Sequence, residues 1–105
     1  MYTVRRKEDG SVILGSAGSD HEILWWTDYT LSAAACKKFI SVLREDGGRG
    51  SLEDMLRQLG FGRFIYLPFY LQQHGVPYSC RTGYKDDDGE VFEDKPVFWS
   101  PDGEE

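Results

Sequence analysis

Cysteine is scarce in this sequence: Cys36 and Cys80 stand alone, too few for the disulfide framework on which small secreted domains depend. Two reduced thiols are expected. Long apolar runs are missing as well. No stretch approaches the roughly 20 residues that cross a bilayer, and the start MYTVRRKEDG carries basic residues without the apolar core of a signal peptide. A cytoplasmic chain is the expectation. Internal repeats and linkers rich in Gly, Ser or Pro are lacking too, so nothing separates two cores. A chain of 105 residues then reads as one domain over 1–100, with 101–105 a frayed acidic tail.

There is also no basic excess. The formal net charge is −6, and it is concentrated at one end. Residues 1–81 hold ten Lys and Arg against nine Asp and Glu, whereas residues 82–105 set Lys85 and Lys95 against nine acids. Six of those acids, Asp86, Asp87, Asp88, Glu90, Glu93 and Asp94, fall within nine consecutive positions. Such a block repels phosphate and favours a basic partner, so direct nucleic-acid binding through this end is disfavoured.

What is present is a mixed pattern. YTVRRK and VILG flank Asp9-Gly10, a pair suited to the two-residue turn of a hairpin. GSAGSDH reads as a loop, and EILWWT, residues 22–27, as a third strand. Leu31, Ala35, Phe39, Val42 and Leu43 recur at helical spacing, giving a helix over about 31–45. Asp28 or Thr30 is its expected cap, Gly47-Gly48 its stop, and Trp25 or Trp26 the residue it covers. Ser51, Glu53 and Asp54 open a second helix over about 52–59, which Gly60 ends. RFIYLPFYL, apolar at consecutive positions, reads as a buried strand ended near Pro68. Tyr78, Cys80, Thr82 and Tyr84 alternate with Ser79, Arg81 and Gly83, as in a strand with one buried face. KDDDGE makes a tip and VFEDKPVFW the return, held to an edge or a bulge by Pro96. The expected fold class is α+β: a mostly antiparallel sheet, made of an N-terminal hairpin, a third strand and a C-terminal hairpin, with two helices on one face.

Few residues carry recognisable chemistry. His74 and Cys80 form the candidate base and nucleophile of a small enzyme, since a thiol needs a neighbour to become a thiolate. No third orienting group marks the pair, and a buried thiol beside a turn histidine is the reading the residues favour. His21, Cys36, His74 and Cys80 lack the short paired spacing of a zinc site. DDDGE lacks the alternating ligands of a calcium loop, and GSAGS and GGRGS lack the lysine and spacing of phosphate cradles. Glu22, Asp28 and Glu53 read as helix-start carboxylates rather than as an acid–base pair. No cofactor and no metal are expected.

The aromatics are numerous, and most of them must build the core. Phe98 and Trp99, beside Glu93 and Asp94, make a candidate apolar anchor rimmed by acids, the composition of a surface that takes a basic, partly apolar partner. The Pro96-bearing edge is a candidate for homodimer formation in a self-associating structural subunit.

Leu67, Pro68, Tyr70 and Leu71, then His74, Ser79 and Cys80, then Asp88, Gly89 and Val91 form a segment that resembles one found in short phage-type proteins of unknown function. The likeness covers about a quarter of the chain. It implies a mobile-element origin and no reaction. Together with charge and size, it leads to the expectation of a small acidic non-enzymatic binding protein. Such a protein would be an inhibitor that occupies the basic site of a nucleic-acid-handling enzyme, as anti-CRISPR proteins and other DNA mimics do. Its expected partner-binding residues are Asp86, Asp87, Asp88, Glu90, Glu93, Asp94, Phe98 and Trp99.

Overall fold

A computed structural model describes residues 3–20, 23–59 and 67–102. Six strands and three helices occur among them: β1 (Thr3–Arg6), β2 (Val12–Asp20), β3 (Ile23–Leu31), α1 (Ala33–Glu45), α2 (Leu52–Leu59), α3 (Leu67–Gln73), β4 (Tyr78–Lys85), β5 (Val91–Glu93) and β6 (Val97–Trp99). The sheet is antiparallel throughout, in the order β1-β2-β3-β4-β5, and β6 pairs with the same edge of β4 as β5 does. The α+β class follows, with one more helix than the sequence pattern suggested.

The two hairpin tips share a construction. Gly10 donates to the Lys7 carbonyl and Lys7 to the Ser11 carbonyl, while Gly89 donates to Asp86 and Asp86 to Glu90. Gly10 and Gly89 have φ of 88° and 86°, the left-handed conformation that closes a three-residue loop. The first tip is therefore one residue longer than the expected two-residue turn. In each, an aspartate locks the loop: Asp9 Oδ1 accepts from the Ser11 amide, and Asp86 Oδ1 from the amides of Asp88 and Glu90.

Ser32, not Asp28 or Thr30, caps α1, its hydroxyl accepting from the Ala35 amide at 3.1 Å. Asp28 and Thr30 are still inside β3, which runs four residues past the expected end. The helix closes as expected at Gly47, φ 98°, with Gly47 donating to Arg44 and Gly48 to Leu43. α2 opens with a reciprocal cap, in which Asp54 N donates to Ser51 Oγ and Ser51 N to Asp54 Oδ2. Its expected stop, Gly60, lies outside the described residues.

The segment expected as a strand over 63–71 folds as α3 from Leu67 onward, while residues 63–66 lie outside the described residues. Leu67, Tyr70 and Leu71 are buried at helical spacing. Pro68 sits in the first turn, where its missing N–H has no intrahelical partner to lose. A short apolar run cannot be told from a buried helix by pattern alone. Gly75 and Val76 end the helix as Gly47 and Gly48 end α1, with Val76 N donating to the Leu71 carbonyl.

One core holds these elements together. α1 contributes Ala35, Cys36, Phe39, Val42 and Leu43, α2 Leu52, Met55 and Leu56, and the sheet Val12, Leu14, Tyr29, Leu31 and Tyr78. Each large side chain buried here contributes about 1.5–3 kcal/mol. Tyr70 joins α3 to the end of α1 through a hydrogen bond from its hydroxyl to Asp46 Oδ2. Arg6 and Glu53 join β1 to α2 by two parallel hydrogen bonds of 2.8 and 2.7 Å.

Candidate interaction surface

Strands of nine residues span roughly 30 Å, whereas α3 covers about 10 Å and α1 about 20 Å. The sheet therefore outruns the helices. GSAGSD, expected as a loop, extends β2 to Asp20 and pairs residue by residue with β3, from Val12↔Leu31 to Asp20↔Ile23. Among the described residues, no helix lies over the distal half of this ribbon, which is joined by the end of β4 and by β5.

Side-chain alternation assigns each residue of this half to a face. Tyr29 and Leu31 face the helices, so Thr27, Trp25 and Ile23 follow them on that side. The register then sets Gly18, Trp25, Tyr84 and Phe92 in one row across four strands. Trp25, Tyr84 and Phe92 are 44%, 45% and 42% exposed, and the Tyr84 and Phe92 rings stack at 4.9 Å. The Trp25 indole lies over Gly18, where a Cβ would come within 2.9 Å of the ring. On the opposite face Trp26 lies over Gly83, whose added Cβ would approach the ring to 2.5 Å. Neither tryptophan is covered by α1, contrary to expectation. Each rests on a glycine of a neighbouring strand instead. Tyr84, expected to face the core, is half exposed for the same reason.

The acids divide by role. Asp86 is committed to its turn and Asp94 Oδ2 accepts from Thr82 Oγ1 at 2.9 Å. Asp87, Asp88, Glu90 and Glu93 are exposed, and among the described residues no ion pair engages any of the six. Period-two spacing along β5 turns Glu90 and Asp94 toward the face of Phe92 and sends Glu93 to the face of Trp26. Carboxylate oxygens of Asp86, Asp87 and Asp88 come within 4.8 Å of one another, but two amides already occupy Asp86 Oδ1.

Between β5 and β6, Asp94, Lys95 and Pro96 stand opposite only Arg81 and Thr82, so Pro96 sits in a bulge as its ring requires. Phe98 and Trp99, expected to act together, face opposite sides of the sheet. Trp99 packs against the core, stacked on Tyr78 at 5.8 Å. Phe98, 48% exposed, lines a cleft on the face opposite the described helices with Lys7, Thr30, Ser79 and Arg81. The exposed aromatics that share a row with the acid-bearing β5 are thus Tyr84, Phe92 and Trp25. Alternation in the sequence puts Tyr84 inward and leaves Trp25 and Trp26 undecided, and only the mismatch in element length signals that Trp25 and Tyr84 are exposed.

Next to the row, a groove of about 470 Å³ runs under α3, walled by Pro68, Phe69 and Gln72 and floored by Thr27, Cys80, Thr82 and Val97. Burial pushes the Cys80 thiol up, and the Asp28 charge adds to this while a hydrogen bond to Tyr29 works against it. His74 lies at the end of α3 with its ring on Tyr70, centroids 4.5 Å apart, and is not among the described residues that line the groove. Cys36 is buried and its thiol is likewise raised by desolvation. Both thiols are held away from the thiolate form that nucleophilic chemistry needs. Among the described residues no helix is long and apolar enough to cross a membrane. Compared with protein-family models, curated proteins and solved structures, the chain matches none.

Proposed function

We propose that this chain is a small acidic binding protein that occupies the basic site of a nucleic-acid-handling protein, an inhibitor of phage or mobile-element type. What supports this reading above all is that exposed carboxylates of the β4–β5 tip, in no ion pair among the described residues, adjoin a row of half-exposed aromatics. Residues 82–95 hold six acids and two lysines, a net −4 on one hairpin. Carboxylates placed where phosphates would bind make association fast and salt-sensitive, and the aromatics supply the apolar contact that holds the complex.

The test uses Asp87→Lys, Asp88→Lys and Glu90→Lys together, sparing Asp86 because its carboxylate closes the turn. Wild-type and variant proteins are immobilised and used to capture proteins from a host lysate at 50 and 500 mM salt. Each captured protein is then purified and challenged with DNA. The reading expects a DNA-binding protein that is captured only by wild type, is released at high salt, and loses its DNA when this chain is added. Identical capture by the folded triple variant would sink it.

A further inference from the structure

We infer that the basic partner is held through arginine side chains of an extended segment lying across the Trp25–Tyr84–Phe92 row. This deepens the reading above and rests on it. The three rings belong to adjacent strands, so the row is about 10 Å long at the ordinary strand spacing. An extended segment crossing it presents alternate side chains about 6.6 Å apart, which puts two on the rings at once. The stacked Tyr84–Phe92 pair and the indole lying across Gly18 offer broad, half-exposed π faces.

The electrostatics select a cation for those faces. Glu90 and Asp94, the residues that flank β5, bracket Phe92 at period-two spacing, so a group stacked on that ring has a carboxylate at either end, Asp94 keeping one oxygen beyond its bond from Thr82. A guanidinium fits this arrangement better than an ammonium does. It is planar, sheds water more easily, and keeps its N–H donors in the ring plane, pointing at flanking carboxylates while its face stacks. A second copy of this chain is a poor source of that group. Of its six described arginines, Arg5, Arg6 and Arg57 are in ion pairs, Arg49 donates to backbone carbonyls, and the other two, Arg44 and Arg81, lie within α1 and in the middle of β4 rather than on a free extended segment.

The experiment titrates the full chain with two peptides, one with arginine and one with lysine at four alternate positions separated by threonine. Binding is read by calorimetry at 50 and 300 mM salt. The arginine peptide is expected to bind about tenfold more tightly than the lysine peptide, because the guanidinium stacks flat on the rings with less loss of hydration than the ammonium. Phe92→Leu and Tyr84→Leu, which keep apolar bulk but remove the π face, should erase that preference. Trp26→Phe, on the opposite face, should leave it intact. Circular dichroism melts confirm that each variant is folded.

Equal affinity for the two peptides, unchanged by the leucine variants but lost in Glu90→Gln with Asp94→Asn, overturns the arginine row and leaves an acidic surface that acts by charge alone. Absence of binding by either peptide at 50 mM salt overturns both readings. A concentration-dependent dimer that Phe92→Leu disperses, with no peptide bound, assigns the row to a second copy and overturns the inference.

Discussion

The indole of Trp26 lies against Gly83 on the neighbouring strand, closely enough that a Cβ there would fall 2.5 Å from the ring and 2.9 Å from the Phe92 carbonyl oxygen. The absence of a side chain at 83 is what allows the distal ribbon to carry a tryptophan on this face. Gly83→Ala is therefore expected to destabilise the fold by about 1–3 kcal/mol, the usual cost of overpacking. Gly18→Ala has the half-exposed Trp25 ring as its nearest neighbour, a side chain that can swing outward, so its cost should be smaller. Urea denaturation of both variants checks the order. A Gly83→Ala protein as stable as wild type would mean that Trp26 does not rest there.

The link between β1 and α2 gives a pH signature. The Arg6 hydrogen bonds hold the Glu53 carboxyl at about 2, below its ordinary 4.5. A depressed carboxyl stabilises the fold above its unfolded value and loses that contribution as pH falls through the folded one. Glu53→Gln should therefore lower the urea midpoint at pH 7, with the gap to wild type closing between pH 4.5 and 2. Both partners are about half exposed, so the gap should be small and should shrink in salt. A gap that persists unchanged at pH 2 would rule out the ion pair as its source.

Much of this architecture was legible in the sequence, and the misses have physical causes. Helical spacing from Leu31 to Leu43 placed α1 to within two residues, because its apolar stripe is continuous and two glycines stop it. Asp28 and Thr30 read as caps because β3 carries its strand alternation through them to Leu31, and polar residues on a half-buried strand face look like caps in a sequence. The segment that holds α3 reads as a strand because apolar residues follow one another in the sequence up to Leu71, and Pro68 suits a helix start as well as a strand end. The acidic block was plain from composition. Its apolar companions were not, because the register that joins Trp25 to Tyr84 and Phe92 is a property of strand pairing, and their exposure depends on how far the helices reach.

Ser32 supplies the acceptor that starts α1, and no acidic residue in the first turn assists it. Ser32→Ala is expected to cost about 1 kcal/mol, as loss of a hydroxyl cap does elsewhere. Ser32→Asp should restore the acceptor and add a favourable charge at the helix start. Thermal melts of the two variants separate this reading from one in which Thr30 or Asp28 is the cap, for which Ser32→Ala would be neutral.

Cys80 lies in the groove beside the aromatic row, and its thiol is raised mainly by burial, with the Asp28 charge acting in the same direction. In a Cys36→Ser background the rate of alkylation by iodoacetamide should therefore rise with pH through a midpoint above that of free cysteine measured alongside. His74→Ala should leave that midpoint unchanged, since the His74 ring packs on Tyr70. Asp28→Asn should lower it, because the charge that disfavours the thiolate is gone. A midpoint below free cysteine that rises in His74→Ala would reveal an activated thiol and restore the case for a cysteine-dependent enzyme.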